Sequence, residues 1–281
     1  MSDFANHQTR RRALATRLDG AAALFPAGRA KTRSHTIDYA FRPDSDFFYL
    51  TGFDEPDAAL LLLPGDDRHE TVLFLRDRDP GREAWDGPRL GVAAAPAALG
   101  VDAAYPISEL ESRLPGLLAG RETLCYPLGR HPEWDAAVTG VWNGKGRAAS
   151  LNALTHPRST LHELRLRKDA HEVAAMRRAA DVTARGFEAA IAAIRPGVSE
   201  RAVRAAVLHA FAASGAEGPA YEPIVAGGAR ATVLHAPATE RVLALGELVL
   251  VDMGAEVGWY ASDVTRTYPV GGRFSPAQRA V

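Results

Sequence analysis

The sequence predicts two domains, an α/β domain with a mixed sheet followed by an α+β domain. In residues 1–158, short apolar runs alternate with helical segments and with turn-forming pairs such as Pro-Gly and Asp-Gly. After residue 158 the pattern changes to two long helical segments and then to a β-rich run, which contains Asp252 and Asp263. We therefore expect one domain over residues 1–158 and a second over residues 159–281.

The elements of the first domain follow from its apolar runs and its turn residues. A first helix is expected to run to about Leu18, with Arg10, Arg11 and Arg12 on its polar face. Another helix is expected over residues 107–118. Strands are expected at residues 21–25, 47–50, 58–63, 71–75 and 123–126. Strands that alternate with helices in this way are typical of an α/β domain.

Two helices are expected at the start of the second domain. Asp169 and Glu172 have the spacing of a capping box, which marks the beginning of a helix. Apolar residues then follow at helical intervals until the Arg-Pro-Gly sequence at residues 195–197, which ends this helix. A second helix is expected over residues 200–214. The β-rich run comes after both helices.

Composition limits the classes of function. The chain has 281 residues, 47% of them hydrophobic, and a formal net charge of −1, so neither nucleic acid nor a membrane is expected as a partner. The longest apolar run, at residues 58–63, is too short to span a bilayer. No apolar stretch follows the basic cluster at residues 10–12, so no secretory signal is expected. The single cysteine, Cys125, is expected to be a buried thiol in a reducing compartment, which predicts a cytoplasmic protein.

The spacing of Asp252 and Asp263 is the most informative feature of the β-rich run. A two-residue turn at residues 257–258 would pair Glu256 with Trp259 and would place the two aspartates directly opposite each other on one face. Opposed residues have Cβ atoms about 4.5–5.5 Å apart. Two carboxylates this close repel each other unless a proton or a cation lies between them, and carboxylates suit hard or borderline metal ions. The spacing therefore indicates a candidate metal site.

Two other interpretations of the aspartates remain open at this point. Hairpins often carry aspartates that face solvent and bind nothing. A turn of a different length would also shift the register and move one carboxylate to the opposite face of the sheet.

Several separate motifs resemble one enzyme family. The motifs of the second domain resemble the first half of the catalytic domain in the pita-bread metallopeptidases, which include methionine aminopeptidase, prolidase and aminopeptidase P. They are residues 224–228 (IVAGG), 233–235 (VLH), 246–254 (GELVLVDMG) and 262–267 (SDVTRT). In the first domain, residues 44–56 (DSDFFYLTGFDEP) resemble the aminopeptidase P and prolidase branch. Residues 83–91 (EAWDGPRLG) resemble aminopeptidase P in particular.

The resemblance implies a pita-bread domain that binds two divalent ions, namely manganese, and that hydrolyses peptides with proline at the second position. Asp252 would chelate one ion and Asp263 would bridge both. His235 would contact the substrate during catalysis, although a solvent-exposed loop histidine is the other interpretation of this residue. Trp85 would line a substrate site in its own or a neighbouring subunit. A homo-oligomer, either a dimer or a tetramer, is implied for the full-length enzyme.

The end of the chain indicates that the second domain is incomplete. Residues 275–278 have the pattern of a helix start, and the chain stops three residues later. We therefore expect a truncated pita-bread domain that is inactive alone, because the family takes a histidine and two glutamate ligands from the second half of that domain.

A prolidase, a non-catalytic peptide-binding module and a metal-free hydrolase of the creatinase type are the alternatives. The presence of both Asp252 and Asp263 disfavours the last two.

Overall fold

A computed structural model describes residues 4–144 and 151–280, in two units that divide between Arg167 and Lys168. The sequence placed the boundary after residue 158. The intervening segment contains a short helix, Leu161–Leu166, and Leu161 is fully buried in the core of the N-terminal unit. The exact limits of the domains stay a prediction.

The N-terminal unit contains a mixed six-stranded sheet. Its helices are α1 (Phe4–Ala15), α2 (Ser45–Thr51), α3 (Pro80–Asp86), α4 (Ala95–Leu99), α5 (Leu110–Leu117), α6 (Pro132–Trp142) and α7 (Leu161–Leu166). Its strands are β1 (Ala22–Gly28), β2 (Thr32–Ser34), β3 (Ile37–Asp38), β4 (Ala58–Leu62), β5 (Thr71–Leu75), β6 (Ala103–Pro106), β7 (Thr123–Cys125) and β8 (Ala153–Thr155). The sheet has the order β6-β5-β4-β1-β7-β8, while β2 and β3 form a separate hairpin.

Both faces of this sheet are buried. The β4 strand is antiparallel to β1 and β5, whereas β1, β7 and β8 run parallel. Along β1, Ala23 and Phe25 enter one core together with residues of α1, α2, α4 and α7, while Leu24 enters the other together with residues of α5 and α6. Side chains alternate between the two faces of a strand, so a strand covered on both faces is apolar throughout. The predicted mixed sheet is confirmed.

The strand predicted at residues 47–50 is wrong, because this segment lies inside helix α2. The Asp44 side chain accepts hydrogen bonds from the backbone N–H groups of Asp46 and Phe47, which caps the start of the helix. Gly52 ends the helix in the left-handed conformation, with φ of 66°. The apolar run alone resembled a buried strand, and the residues on either side of it determine the helix.

The prediction for the first helix needs a similar correction. Arg10 and Arg11 are only 5% and 3% exposed, rather than on a polar face. The Arg11 guanidinium donates to the carbonyl oxygens of Leu50, at 2.8 Å, and Gly100, at 2.6 Å, near the C-terminal ends of α2 and α4. Carbonyls at helix ends attract cations and need donors. Burial lowers the pKa of Arg11 to about 10.

Cys125 is buried as predicted, and this gives a testable expectation. Burial raises the pKa of its thiol to about 11, and hydrogen bonds with Thr155 and Thr160 offset only part of that shift. Only the thiolate reacts with alkylating reagents. We expect the folded protein to resist iodoacetamide at pH 8 over hours, while denatured protein reacts fully within minutes. Mass spectrometry of the intact chain measures this, and rapid alkylation of the folded chain would contradict the burial of this thiol.

The C-terminal unit packs two long helices, α8 and α9, against two small sheets. Its helices are α8 (Ala170–Ala193), α9 (Glu200–Ala213) and α10 (Pro276–Arg279). Its strands are β9 (Gly218–Pro219), β10 (Ile224–Gly227), β11 (Leu248–Met253), β12 (Ala255–Val257), β13 (Tyr260–Ala261) and β14 (Val264–Pro269). These strands form two three-stranded sheets, in the orders β10-β11-β14 and β13-β12-β9. Asp169 and Glu172 form the predicted capping box.

Burial alternates along β11 and thereby places Asp252. Val249, Val251 and Met253 are fully buried in the core that α8 and α9 share with the sheet. Asp252 lies between two of them and therefore points away from the two helices, because neighbouring residues of a strand face opposite sides. In the part of the chain that the structure describes, no helix combines the length and the apolar character needed to cross a membrane.

Candidate metal centre

The strand pairing in the hairpin that carries the two aspartates is shifted by two residues from the predicted pairing. Val257 pairs with Tyr260, so the turn consists of Gly258 and Trp259. Both turn residues have positive φ angles, 57° and 63°, which a two-residue type I′ turn requires. The predicted turn would have placed Val257, a β-branched residue, in this left-handed conformation, which is sterically costly. The predicted pairing of Glu256 with Trp259 is therefore wrong.

Asp252 and Asp263 nevertheless lie on the same face of the sheet. Asp252 pairs with Thr265, and Asp263 stands two residues before Thr265, immediately ahead of β14. A shift of one residue would have turned one carboxylate to the other face, whereas a shift of two preserves the face. The two aspartates are thus diagonal neighbours, Asp252 on β11 and Asp263 just before the antiparallel β14, instead of directly opposed residues.

A tyrosine hydroxyl brings the two carboxylates together. The hydroxyl of Tyr221 donates to Oδ1 of Asp252 at 2.5 Å and contacts Oδ1 of Asp263 at 2.8 Å. Burial and these two carboxylates raise the pKa of Tyr221 well above its usual value, so the phenol keeps its proton at neutral pH. The Tyr221 hydroxyl therefore reduces the repulsion between the carboxylates of Asp252 and Asp263.

Sequence reasoning missed Tyr221. The residue lies in the short connection between β9 and β10, where the backbone N–H of the preceding Ala220 donates to the carbonyl of Gly254 at 2.8 Å. That bond ties the connection to the segment that follows Asp252. The only signal in the sequence is an aromatic hydroxyl three residues before an apolar strand, which is common in proteins. Only the pairing of non-adjacent strands reveals its position.

The same face of the sheet forms one wall of a cavity of about 420 Å³. His235 lines this cavity together with Asp252, Asp263 and Tyr221. The remaining lining residues are mainly apolar and belong to the segments around β10 and His235: Glu222, Pro223, Ile224, Ala236 and Pro237. The structure therefore gathers three of the four residues that the sequence singled out.

Trp85, the fourth candidate, lies in the N-terminal unit. It belongs to α3, a helix without buried residues, and 87% of its surface is exposed. A large aromatic side chain this exposed has no role in the core of its own unit. Its assignment to a substrate site stays a prediction.

Helix α8 fixes the strand that leads to Asp263. Thr183 is only 1% exposed, and its hydroxyl accepts a hydrogen bond from the backbone N–H of Ala255 at 2.9 Å. It also bonds the hydroxyl of Ser262, which in turn donates to the carbonyl of Ala179 at 3.2 Å. Ser262 immediately precedes Asp263, so the helix holds the position of this carboxylate.

The donor set fits part of the ligand shell of a divalent ion. Carboxylate oxygens are the ligands that magnesium, calcium and manganese prefer. Within residues 4–144 and 151–280, no three histidine, cysteine, aspartate or glutamate side chains are grouped so that they could hold a metal ion. Asp252 and Asp263 therefore provide two convergent carboxylates, and tight binding of an ion requires further ligands.

Family models match both units of the chain. The model described as the N-terminal domain of aminopeptidase P matches residues 7–126, and the model described as metallopeptidase family M24 matches residues 174–281. The Xaa-Pro aminopeptidase of Escherichia coli is 41% identical, with 98% of this chain and 64% of that protein aligned. The chain belongs to the aminopeptidase P family of M24 metallopeptidases. The Xaa-Pro aminopeptidase of Haemophilus influenzae is 39% identical over 98% of this chain and 62% of that relative.

Solved structures of the family agree with the fold. Aminopeptidase PepP of Pseudomonas aeruginosa matches 99% of this chain and 64% of its own, with a TM-score of 0.94 and 41% identity. Aminopeptidase P of E. coli with the inhibitor Pro-Leu matches with a TM-score of 0.93 and 39% identity. The predicted α/β N-terminal domain followed by a pita-bread domain is thereby confirmed. The chain spans slightly less than two thirds of the length of these relatives.

Proposed function

We propose that the whole protein is an Xaa-Pro aminopeptidase, which releases the first residue from peptides with proline at the second position. The observation that carries this proposal is the convergence of Asp252, Asp263 and His235 on one cavity. This cavity lies in a chain that is 41% identical to the Xaa-Pro aminopeptidase of E. coli. A cytoplasmic enzyme that acts as a homo-oligomer, a dimer or a tetramer, on peptide substrates is part of the same proposal.

The proposed cofactor is a pair of divalent ions, namely manganese. Asp252 would hold one ion and Asp263 would bridge both, with further ligands supplied by the rest of the whole protein. When bound, the ions would polarise the scissile carbonyl and lower the pKa of an attacking water. Tyr221 supports this role because its hydroxyl keeps the two carboxylates in proximity.

The residues around the cavity would bind and orient the peptide. Pro223, Ile224 and Pro237 provide an apolar wall that suits the ring of a substrate proline. His235 stands beside this wall and can donate a hydrogen bond to a peptide carbonyl, which would hold the proline relative to the carboxylates. Trp85, whose ring is exposed, would line a substrate site in its own or a neighbouring subunit.

The decisive experiment is an assay of the whole protein on two substrates of different length. We expect manganese-dependent cleavage of a tripeptide Xaa-Pro-Yaa, slow or absent cleavage of the dipeptide Xaa-Pro, and loss of activity when a chelator removes the metal. Cleavage confined to the dipeptide would identify a prolidase instead. Absence of cleavage of both peptides with manganese bound would overturn the proposal and favour a peptide-binding module.

Tyr221→Phe tests the electrostatic role of the hydroxyl. Without a donor, the two carboxylates repel each other, so the metal-free protein should lose about 1 kcal/mol of unfolding free energy. Added manganese should reduce this loss of unfolding free energy, because a cation bound between the two carboxylates cancels their repulsion. Urea-induced unfolding with and without manganese measures both effects. Tyr126→Phe is the matched control, since the hydroxyl of Tyr126 donates to Asp135 in the N-terminal unit. Manganese should not change the unfolding free energy that the Tyr126→Phe protein loses.

A further inference from the structure

A loop between β10 and Thr239 presents His235 to the cavity. Residues 228–238 follow Gly227, the last residue of β10, and a short helical turn, Gly228–Thr232, forms their first part. Val233 and Leu234 are 55% and 82% exposed, so the segment just before His235 has little packing of its own. Compact surface loops of this kind depend on contacts that hold their two ends together.

One buried carboxylate joins the two ends of this loop. Glu200 is the first residue of α9, and its side chain is completely inaccessible to solvent. One carboxylate oxygen accepts from the backbone N–H of Gly227 at 3.0 Å. The other accepts from the backbone N–H and the hydroxyl of Thr239, at 3.0 and 2.7 Å. Glu200 therefore connects the residue before the loop with the residue after it.

An arginine extends this connection into the loop. The Nε atom of Arg230 donates to the same oxygen of Glu200 that Gly227 contacts, at 3.3 Å, and its Nη2 atom donates to the carbonyl of Pro237 at 2.7 Å. Pro237 also forms a bridge with Ile224 of β10. Between Arg230 and Pro237, Ala236 is 1% exposed and anchors the chain directly after His235.

The Glu200 carboxylate is not the N-cap of helix α9. The N-cap of this helix is Ser199, whose hydroxyl accepts from the backbone N–H of Ala202 at 3.2 Å. Burial on its own would raise the pKa of Glu200, but the hydrogen bonds from Gly227 and Thr239 and the charge of Arg230 lower it instead. The group is therefore ionised at neutral pH. A buried charge is costly unless it is paired and hydrogen-bonded, and here every partner belongs to the loop or to its ends.

We propose that Glu200 is a positioning residue, which holds the loop of residues 228–238 so that His235 faces the cavity with Asp252 and Asp263. The part of the proposal that concerns substrate rests on the proposed function of His235. The part that concerns the loop stands on geometry alone. The two parts can therefore be tested separately.

Hydrogen exchange tests the geometric part. Glu200→Gln keeps the size of the side chain but replaces one acceptor oxygen with an N–H donor, which then faces donors of Gly227 or Thr239. Amides of residues 228–239 should exchange roughly 10-fold faster, while those of α8 keep their rates. Glu240→Gln is the matched control, because Glu240 forms an exposed ion pair with Arg201 beside the loop. Unchanged exchange in the loop would overturn the proposal.

A second variant covers the case in which Glu200→Gln does not fold. Thr239→Val removes the hydroxyl, which donates to Glu200 at 2.7 Å and accepts from the backbone N–H of Arg241 at 3.2 Å, and it leaves the backbone donor to Glu200 in place. We expect exchange in the loop to rise by a few-fold with this change. An increase that is confined to residues 228–239 supports the proposal, and an increase spread evenly over the C-terminal unit contradicts it.

A double-mutant cycle in the whole protein tests the functional part. Glu200→Gln should raise KM for Xaa-Pro-Yaa roughly 10-fold with a smaller change in kcat, and adding it to His235→Ala should cost little more. Additive effects would show that Glu200 does not act through His235 and would overturn this part. Absence of Xaa-Pro cleavage in the unaltered protein would instead refute the proposed function, while the exchange result would still decide the role of Glu200 in the loop.

Discussion

Changing Asp263 to asparagine in the whole protein should lower kcat/KM on Xaa-Pro-Yaa by roughly 10³-fold or more. Asparagine has the shape of aspartate and still offers an oxygen to the hydroxyl of Tyr221, so the fold should be retained. The side chain loses its charge, and with it the ability to bridge two cations. Kinetic assay and metal analysis of the same preparation measure both consequences, and the bound manganese should fall together with the activity.

The control for this change is a carboxylate of the same unit that lies outside the site. Asp181 is exposed on α8, and Asp181→Asn should leave both activity and metal content unchanged. Full activity of the Asp263→Asn protein would show that the site is assigned wrongly. Loss of activity with full retention of metal would show that Asp263 serves the reaction without bridging the ions.

The face that the two aspartates share was predictable from sequence, but their exact register was not. Side chains alternate along strands, so the even displacement between the predicted and observed pairings left Asp252 and Asp263 on the same side. The register itself depends on which residues take positive φ in the turn. Trp259 does so at 63°, which is uncommon for a residue other than glycine, asparagine or aspartate.

Residues that act through long-range contacts were not predictable. Glu200 reads as an ordinary acidic residue in the first turn of a helix, where it would favour the helix dipole. Its partners lie 27 and 39 residues away in sequence, at Gly227 and Thr239. Tyr221 could not be found for the same reason, because its two carboxylate partners lie 31 and 42 residues later in the chain.

Helix α2 shows the limit of apolar patterns. A short apolar run fits a buried strand and a buried helix equally well, so the neighbouring residues decide between them. Asp44 and Gly52 have the chemistry of a helix start and a helix end. The two caps together with the apolar run would have predicted the helix. The burial of Arg10 and Arg11 of α1 could not be predicted in this way, because their guanidinium groups donate to carbonyl oxygens of α2, which is distant in sequence.

Gly254 lies where the strand of Asp252 passes closest to the residue before Asp263. A Cβ atom added at Gly254 would stand 1.7 Å from the carbonyl oxygen of Ser262 and 3.2 Å from the backbone nitrogen of Asp263. These are backbone atoms, which no rotamer change can move aside. Hydrogen bonds with the Thr183 hydroxyl and the Ala179 carbonyl hold Ser262 in place, so its displacement would break contacts with α8.

Gly254→Ala should therefore lower the unfolding free energy by roughly 3 kcal/mol and separate Asp263 from the hydroxyl of Tyr221. Urea-induced unfolding measures the first effect, and a loss of manganese binding in the whole protein measures the second. Gly218→Ala is the matched control, because Gly218 lies on β9 beside β12 and has no atom within 4 Å of an added Cβ. If the unfolding free energies of the Gly254→Ala and Gly218→Ala proteins agree within about 0.5 kcal/mol, the strands do not approach closely at Gly254. A destabilised Gly254→Ala protein that still binds manganese tightly would show that the position of Asp263 does not depend on this approach.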